Sequence, residues 1–98
     1  MNRSRTLELL RQIKPELTRR FGVRELALFG STARGEARSD SDVDLLVTFD
    51  GPATSERYFG TLFAVEDALG CPVDLVTDKG LRPELSRAVA RDRIALGD

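Results

Sequence analysis

The chain contains no histidine, no tryptophan and a single cysteine, Cys71. Without histidine there is no Ser-His-Asp triad and no imidazole general base. With one cysteine besides, the usual zinc sites and any internal disulfide framework are excluded. Aromatic residues are sparse, five Phe and one Tyr, too few for a base-stacking surface of the kind that grips single-stranded nucleic acid. No apolar run is long enough to predict a transmembrane helix. The N-terminus is basic but has neither the apolar stretch nor the small-residue cleavage site of a secretory signal, so a cytoplasmic location is expected. Any chemistry must come from carboxylates, hydroxyls, arginines and backbone groups. A metal, if used, should be a hard, oxygen-seeking one.

What is present fits one small domain, residues 1–98, with 41% apolar and 32% charged residues. The net charge is −1, but the charges are segregated. Residues 1–24 are mainly basic and residues 40–78 mainly acidic. Leu7, Leu10, Ile13, Leu17 and Phe21 recur at helical spacing and predict a helix over 5–21, kinked or restarted at Pro15 and stopped by Gly22. A short strand is predicted over 24–29. The polar segment GSTARGEARSDSD then forms a loop, with one helical turn after Gly30. A second strand covers 43–49. A helix over 55–69 has Ser55 as its N-cap and Gly70 as its stop. A third strand is predicted over 72–77, and a helix over 83–92 with Leu85, Ala88 and Val89 inward. A short strand or cap is expected at 93–96. The order predicts an α/β (α+β) sandwich, a small sheet flanked by helices; the pattern leaves strand directions open.

The acidic residues are not scattered. Asp42 and Asp44 are two apart at the start of the second strand, so both carboxylates face one side and Val43 the other. Two such charges repel unless a cation lies between them, and Mg²⁺ suits one or two carboxylates with phosphate oxygens. Asp74 lies in Val-Asp-Leu-Val, an echo of Val43-Asp44-Leu45-Leu46. An aspartate within an apolar strand is costly to bury unless it is paired or bound to metal. If the strands are neighbours, the three carboxylates meet at one sheet end and suit a two-metal site for phosphoryl or nucleotidyl transfer. Asp40, Asp50 and Asp78 are expected only to cap turns. Gly30 and Ser31 close the first strand, where a sharp turn and free N–H groups would cradle phosphate. Taken singly, an Asp-x-Asp pair and a Gly-Ser turn are ordinary turn chemistry.

Together, Gly30-Ser31, ten intervening residues, then Asp42-Val43-Asp44 form a combined pattern. It closely resembles the signature of the DNA-polymerase-β-like nucleotidyltransferase superfamily. Leu26-Ala27-Leu28-Phe29, Ser41 and Leu45-Leu46-Val47 fit its flanks, and Asp74 falls where the family places its third carboxylate. The short chain resembles the minimal nucleotidyltransferases (MNT or MntA-type antitoxins) paired with HEPN-domain RNase toxins. That resemblance implies a mixed β-sheet flanked by helices and transfer of AMP from ATP to a tyrosine of the toxin. It implies that Gly30 and Ser31 hold the triphosphate, and that Asp42 and Asp44 hold metal, two Mg²⁺ ions being expected. Asp74 would help bind the second ion and orient or deprotonate the acceptor hydroxyl. Arg34 is a candidate phosphate contact, with an ion pair to Glu36 or an aspartate as the alternative. The basic helix carrying Arg3, Arg5, Arg11, Arg19 and Arg20 is either a solvated face or part of a partner contact. Cys71 is expected to be a small packed residue.

Two other functions compete. One is a non-catalytic module that neutralises its partner sterically. The other is a nucleotidyltransferase for a small molecule or an RNA end. Nucleic acid is not expected as a direct partner, given the acidic middle of the chain, and no membrane contact is expected.

Overall fold

The structure, a computed structural model, describes residues 2–38 and 41–96. Its elements are α1 (Arg3–Phe21), β1 (Val23–Phe29), α2 (Gly30–Ala33), β2 (Val43–Phe49), α3 (Ser55–Leu69), β3 (Val73–Thr77), α4 (Pro83–Asp92) and β4 (Ile94–Ala95). The four strands form one sheet in the order β3-β2-β1-β4. β1 is antiparallel to both β2 and β4, whereas β2 and β3 are parallel. The sheet is therefore mixed, as the resemblance implies. The parallel pair needs a crossover, and α3 supplies it.

Alternation along the strands sends one set of side chains to each face of the sheet. Val43, Leu45, Val47 and Phe49 of β2 join Val23, Leu26 and Leu28 of β1 and Val73 and Leu75 of β3 in the larger core. There they meet Leu10 and Leu17 of α1 and Val65 and Leu69 of α3. The opposite face is thinner: Ala27, Phe29 and Leu46 pack against Val89 of α4, with Val76 and Leu81 alongside. Asp44 and Asp74 belong by alternation to this thinner face, beyond the cover that Val89 provides.

Several local expectations need correcting. Of the kink or restart expected at Pro15, the restart does not occur, because α1 runs unbroken from Arg3 to Phe21. Burial of Leu10 and Leu17 on either side of Pro15 holds the helix together across the missing N–H. Asn2 is its N-cap, accepting from the Arg5 N–H at 2.8 Å. Gly22 ends it at φ 71°, a left-handed conformation suited to glycine. In α3 the cap is Thr54 rather than Ser55, its hydroxyl accepting from the Arg57 N–H at 3.2 Å. Leu85 of α4 faces solvent rather than the core, and Val89 is the apolar residue of that helix that is buried.

The edge strand β3 is closed by α3. The Glu66 carboxylate accepts from the Val73 N–H at 3.0 Å, and the Tyr58 hydroxyl donates to the Leu75 carbonyl. Both satisfied groups lie on the edge away from β2, where an open strand would invite pairing with another chain. The same helix leaves Phe59 and Phe63 exposed, their rings stacked at 6.1 Å. No helix among the described residues is long and apolar enough to cross a membrane.

Candidate active site

The site is assembled where β1 ends and β2 and β3 begin. In the β1–β2 ladder Phe29 stands opposite Asp44, which places Gly30 beside the Asp44 carboxylate. Gly30 has φ 76°, and a Cβ on it would overlap Asp44 Oδ2. The turn and the carboxylate therefore share space that only glycine leaves open. From Gly30 the chain makes the single helical turn expected there, α2, closed by the Arg34 N–H on the Gly30 carbonyl at 3.1 Å. No side chain caps the start of that turn. The Ser31 carbonyl accepts from the Glu36 N–H at 2.8 Å, and Arg3 donates to the Ala33 carbonyl at 3.2 Å, fixing the far side of the turn.

Asp44 and Asp74 are direct register partners on the parallel strands β2 and β3. Their side chains share a face, with backbones about 4.8 Å apart. Asp42 precedes β2 by one residue and is exposed, while Asp44 is half-buried. Burial, followed by the charges of Asp74 and Asp42, pushes the Asp44 pKa up to about 6, with Arg34 opposing. The charges of Asp74 and Asp42 thus both reach Asp44. Among the described residues, however, no three carboxylate or thiol side chains close into a metal cage. The donor set is all oxygen, its backbones are in register, and its net charge favours a cation. It fits hard Mg²⁺ chemistry.

Arg34 lies outside the carboxylate group but close to it. Its Nε donates to Glu36 at 2.8 Å and its Nη1 to Asp92 at 2.6 Å. Hydrogen bonds to Glu36 and Asp92 raise its pKa further, so it is always cationic. The anticipated ion pair is present, and the Asp92 half of it has no counterpart in the motif. Tyr58 was also missed: burial, and then the Asp74 charge, raise its pKa, which places it near the third carboxylate. Only the fold reveals these two, since Asp92 is 58 residues from Arg34 and Tyr58 is on a separate helix.

The other expectations fall as follows. Asp50 pairs with Arg57 at 3.0 Å beside the turn after β2. Asp40 lies outside the described residues. Cys71 is partly buried, and burial pushes its thiol pKa up, as suits a packed residue rather than a nucleophile. On α1, Arg5 pairs with Glu8, and Arg19 and Arg20 pair with Glu16, all exposed.

Comparison with known proteins places this geometry. A family model described as a nucleotidyltransferase domain matches residues 10–96. Protein adenylyltransferase MntA of Thermococcus cleftensis is 42% identical over 91 residues, covering 89% of this chain and 92% of the relative. A solved structure described as a minimal nucleotidyltransferase superposes with a TM-score of 0.79 at 41% identity, covering 96% of this chain and 95% of the other. The MNT antitoxin solved in complex with a tri-AMPylated HEPN toxin from Shewanella oneidensis shares the fold, with a TM-score of 0.67 at 20% identity, over 93% of this chain and 71% of the other. With the motif, the mixed sheet and the match over residues 10–96 in agreement, the chain belongs to the nucleotidyltransferase domain family and is an enzyme of that class.

Proposed function

We propose that the chain transfers AMP from ATP to a tyrosine hydroxyl of a HEPN-type RNase toxin and thereby acts as its cytoplasmic antitoxin. The observation that carries this reading is the in-register placement of Asp44 and Asp74 on neighbouring parallel strands, with Gly30 packed against Asp44. The relative at 42% identity, a protein adenylyltransferase, supports the choice of a protein acceptor. The stacked, exposed Phe59 and Phe63 are consistent with it, because contiguous exposed aromatic surface is what a protein partner covers.

In this mechanism Gly30 and Ser31 hold the triphosphate through backbone N–H groups and the serine hydroxyl. Asp42 and Asp44 would hold Mg²⁺, with Asp74 completing the site for a second ion. When bound, the ions supply neutralisation of the charge that builds on the attacking and leaving oxygens. The tyrosine oxygen forms a bond to the α-phosphorus as the bond to the β-phosphate bridge breaks, and pyrophosphate leaves. The Asp74 carboxylate orients the phenol and takes its proton. No imidazole is needed, which agrees with the absence of histidine. Catalysis then rests on positioning and electrostatics.

The test is incubation with ATP, Mg²⁺ and the HEPN-type protein encoded beside the chain, followed by intact mass. Gain of one or more AMP masses on a tyrosine is expected. An unmodified partner at saturating ATP would refute the reading. Asp42→Asn and Asp44→Asn should each lower transfer about 100-fold or more. Neutralisation that survives both changes would instead identify a steric antitoxin.

A further inference from the structure

The last residue of α4 is electrostatically misplaced. Asp92 sits at a helix C-terminus, where the backbone dipole disfavours an acid. Its side chain is nevertheless only 3% exposed. Two guanidinium groups hold it there: Oδ2 accepts from Arg34 Nη1 at 2.6 Å, and Oδ1 accepts from Arg91 Nε at 3.2 Å. Arg34 is the residue that closes the α2 turn on Gly30, so Asp92 grips the side chain that extends directly from that turn.

The geometry of the grip leaves part of Arg34 available. Glu36 takes Nε and Asp92 takes one Nη1 donor. The Nη2 edge has no partner among the described residues. A planar guanidinium held at two of its corners presents its remaining donors in a fixed direction. Arg34 ends the α2 turn that begins at Gly30, and Gly30 packs directly against the Asp44 carboxylate, so the guanidinium stems from the same turn that borders the carboxylates.

We propose that Asp92 is a positioning residue for the nucleotide: by fixing the Arg34 fork against α4, it aims the Nη2 edge of the guanidinium at the triphosphate held by Gly30 and Ser31. This rests on the nucleotidyltransfer reading of the site. Simple electrostatics and positioning predict opposite outcomes for Asp92→Asn. Removing a negative charge near the site should tighten binding of a polyanion. Releasing the Arg34 fork should weaken it, because donors that are no longer pre-organised must be ordered on binding.

The experiment is calorimetric binding of AMP-PNP and of AMP, each in Mg²⁺, to the wild-type chain and to Asp92→Asn, with thermal unfolding of both. The expected result is an AMP-PNP Kd raised about tenfold in Asp92→Asn, with the AMP Kd unchanged. Arg34→Lys, which keeps the charge but loses the fork, should show the same selective loss, and Asp92→Glu should recover part of it. If Asp92→Asn does not fold, Arg34→Lys reads the same split between the two nucleotides. Tighter or unchanged AMP-PNP binding, or equal loss for both nucleotides, would overturn the inference and leave Asp92 as a tether of α4. A wild-type chain that fails to bind AMP-PNP at all would overturn the reading of the site itself, and this inference with it.

Discussion

Replacing a residue that the chemistry needs should make the metal-free protein more stable. Asp44 is raised from an ordinary 3.8 to about 6, first by burial and then by Asp74 and Asp42. The folded state therefore holds the Asp44 proton more tightly than the unfolded state does. Below about pH 3 both states are protonated and the group exerts no penalty. As the pH rises from about 4 to about 6 the unfolded state ionises before the folded one and stability falls, levelling off above about 6 where the folded state carries a half-buried charge beside two others. A shift of this size corresponds to at most about 3 kcal/mol. Asp44 is only half-buried, and solvent screening reduces this to about 1 kcal/mol. Asp44→Asn keeps the shape and removes the charge. In EDTA at pH 8 its midpoint should lie about 4–8 °C above wild type, and at pH 3 the two should coincide. Thermal unfolding followed by circular dichroism measures both. Mg²⁺ should raise the wild-type midpoint at pH 8 and leave that of Asp44→Asn unchanged, because a cation relieves the same repulsion. A less stable Asp44→Asn at pH 8, or a difference that persists undiminished at pH 3, would refute the reasoning.

Gly30→Ala adds a Cβ at a left-handed position in the space that Asp44 occupies; it should cost about 1–2 kcal/mol and abolish AMP transfer, read by unfolding and by mass. Tyr58→Phe leaves the Leu75 carbonyl on the β3 edge without its donor. It should lower stability by about 1 kcal/mol in urea unfolding, with the edge opening earlier in hydrogen exchange. Thr61→Val should be neutral or stabilising in the same assay, because the buried Thr61 hydroxyl has no partner among the described residues.

The candidate site was largely legible in the sequence because its parts are local. Gly30-Ser31 and Asp42-Val43-Asp44 lie at a strand end and a strand start, and strand alternation puts Asp44 on the face opposite Val43. The element order was equally legible, since Leu7, Leu10, Leu17 and the Val-Asp-Leu runs carry their periods within a few residues. The N-cap of α3 was misplaced by one residue because Thr54 and Ser55 carry the same chemistry, and backbone dihedrals choose between them. Pro15 does not restart the helix because propensity is a local preference, overridden here by burial of the helix face on both sides. Leu85 misled because α4 covers so little of the thin face that one buried residue, Val89, suffices.

Composition and spacing by themselves settled which atoms are available for chemistry: carboxylate oxygens, a glycine turn and arginines, with no imidazole. Tertiary structure alone decided that β2 and β3 run parallel, and so that Asp74 stands beside Asp44 rather than at the far end of a strand. It alone brought Asp92 to Arg34 and Tyr58 to the β3 edge. Sequence patterns report the face a residue occupies on its own element, whereas proximity between elements depends on strand direction and register, which only the packed sheet sets.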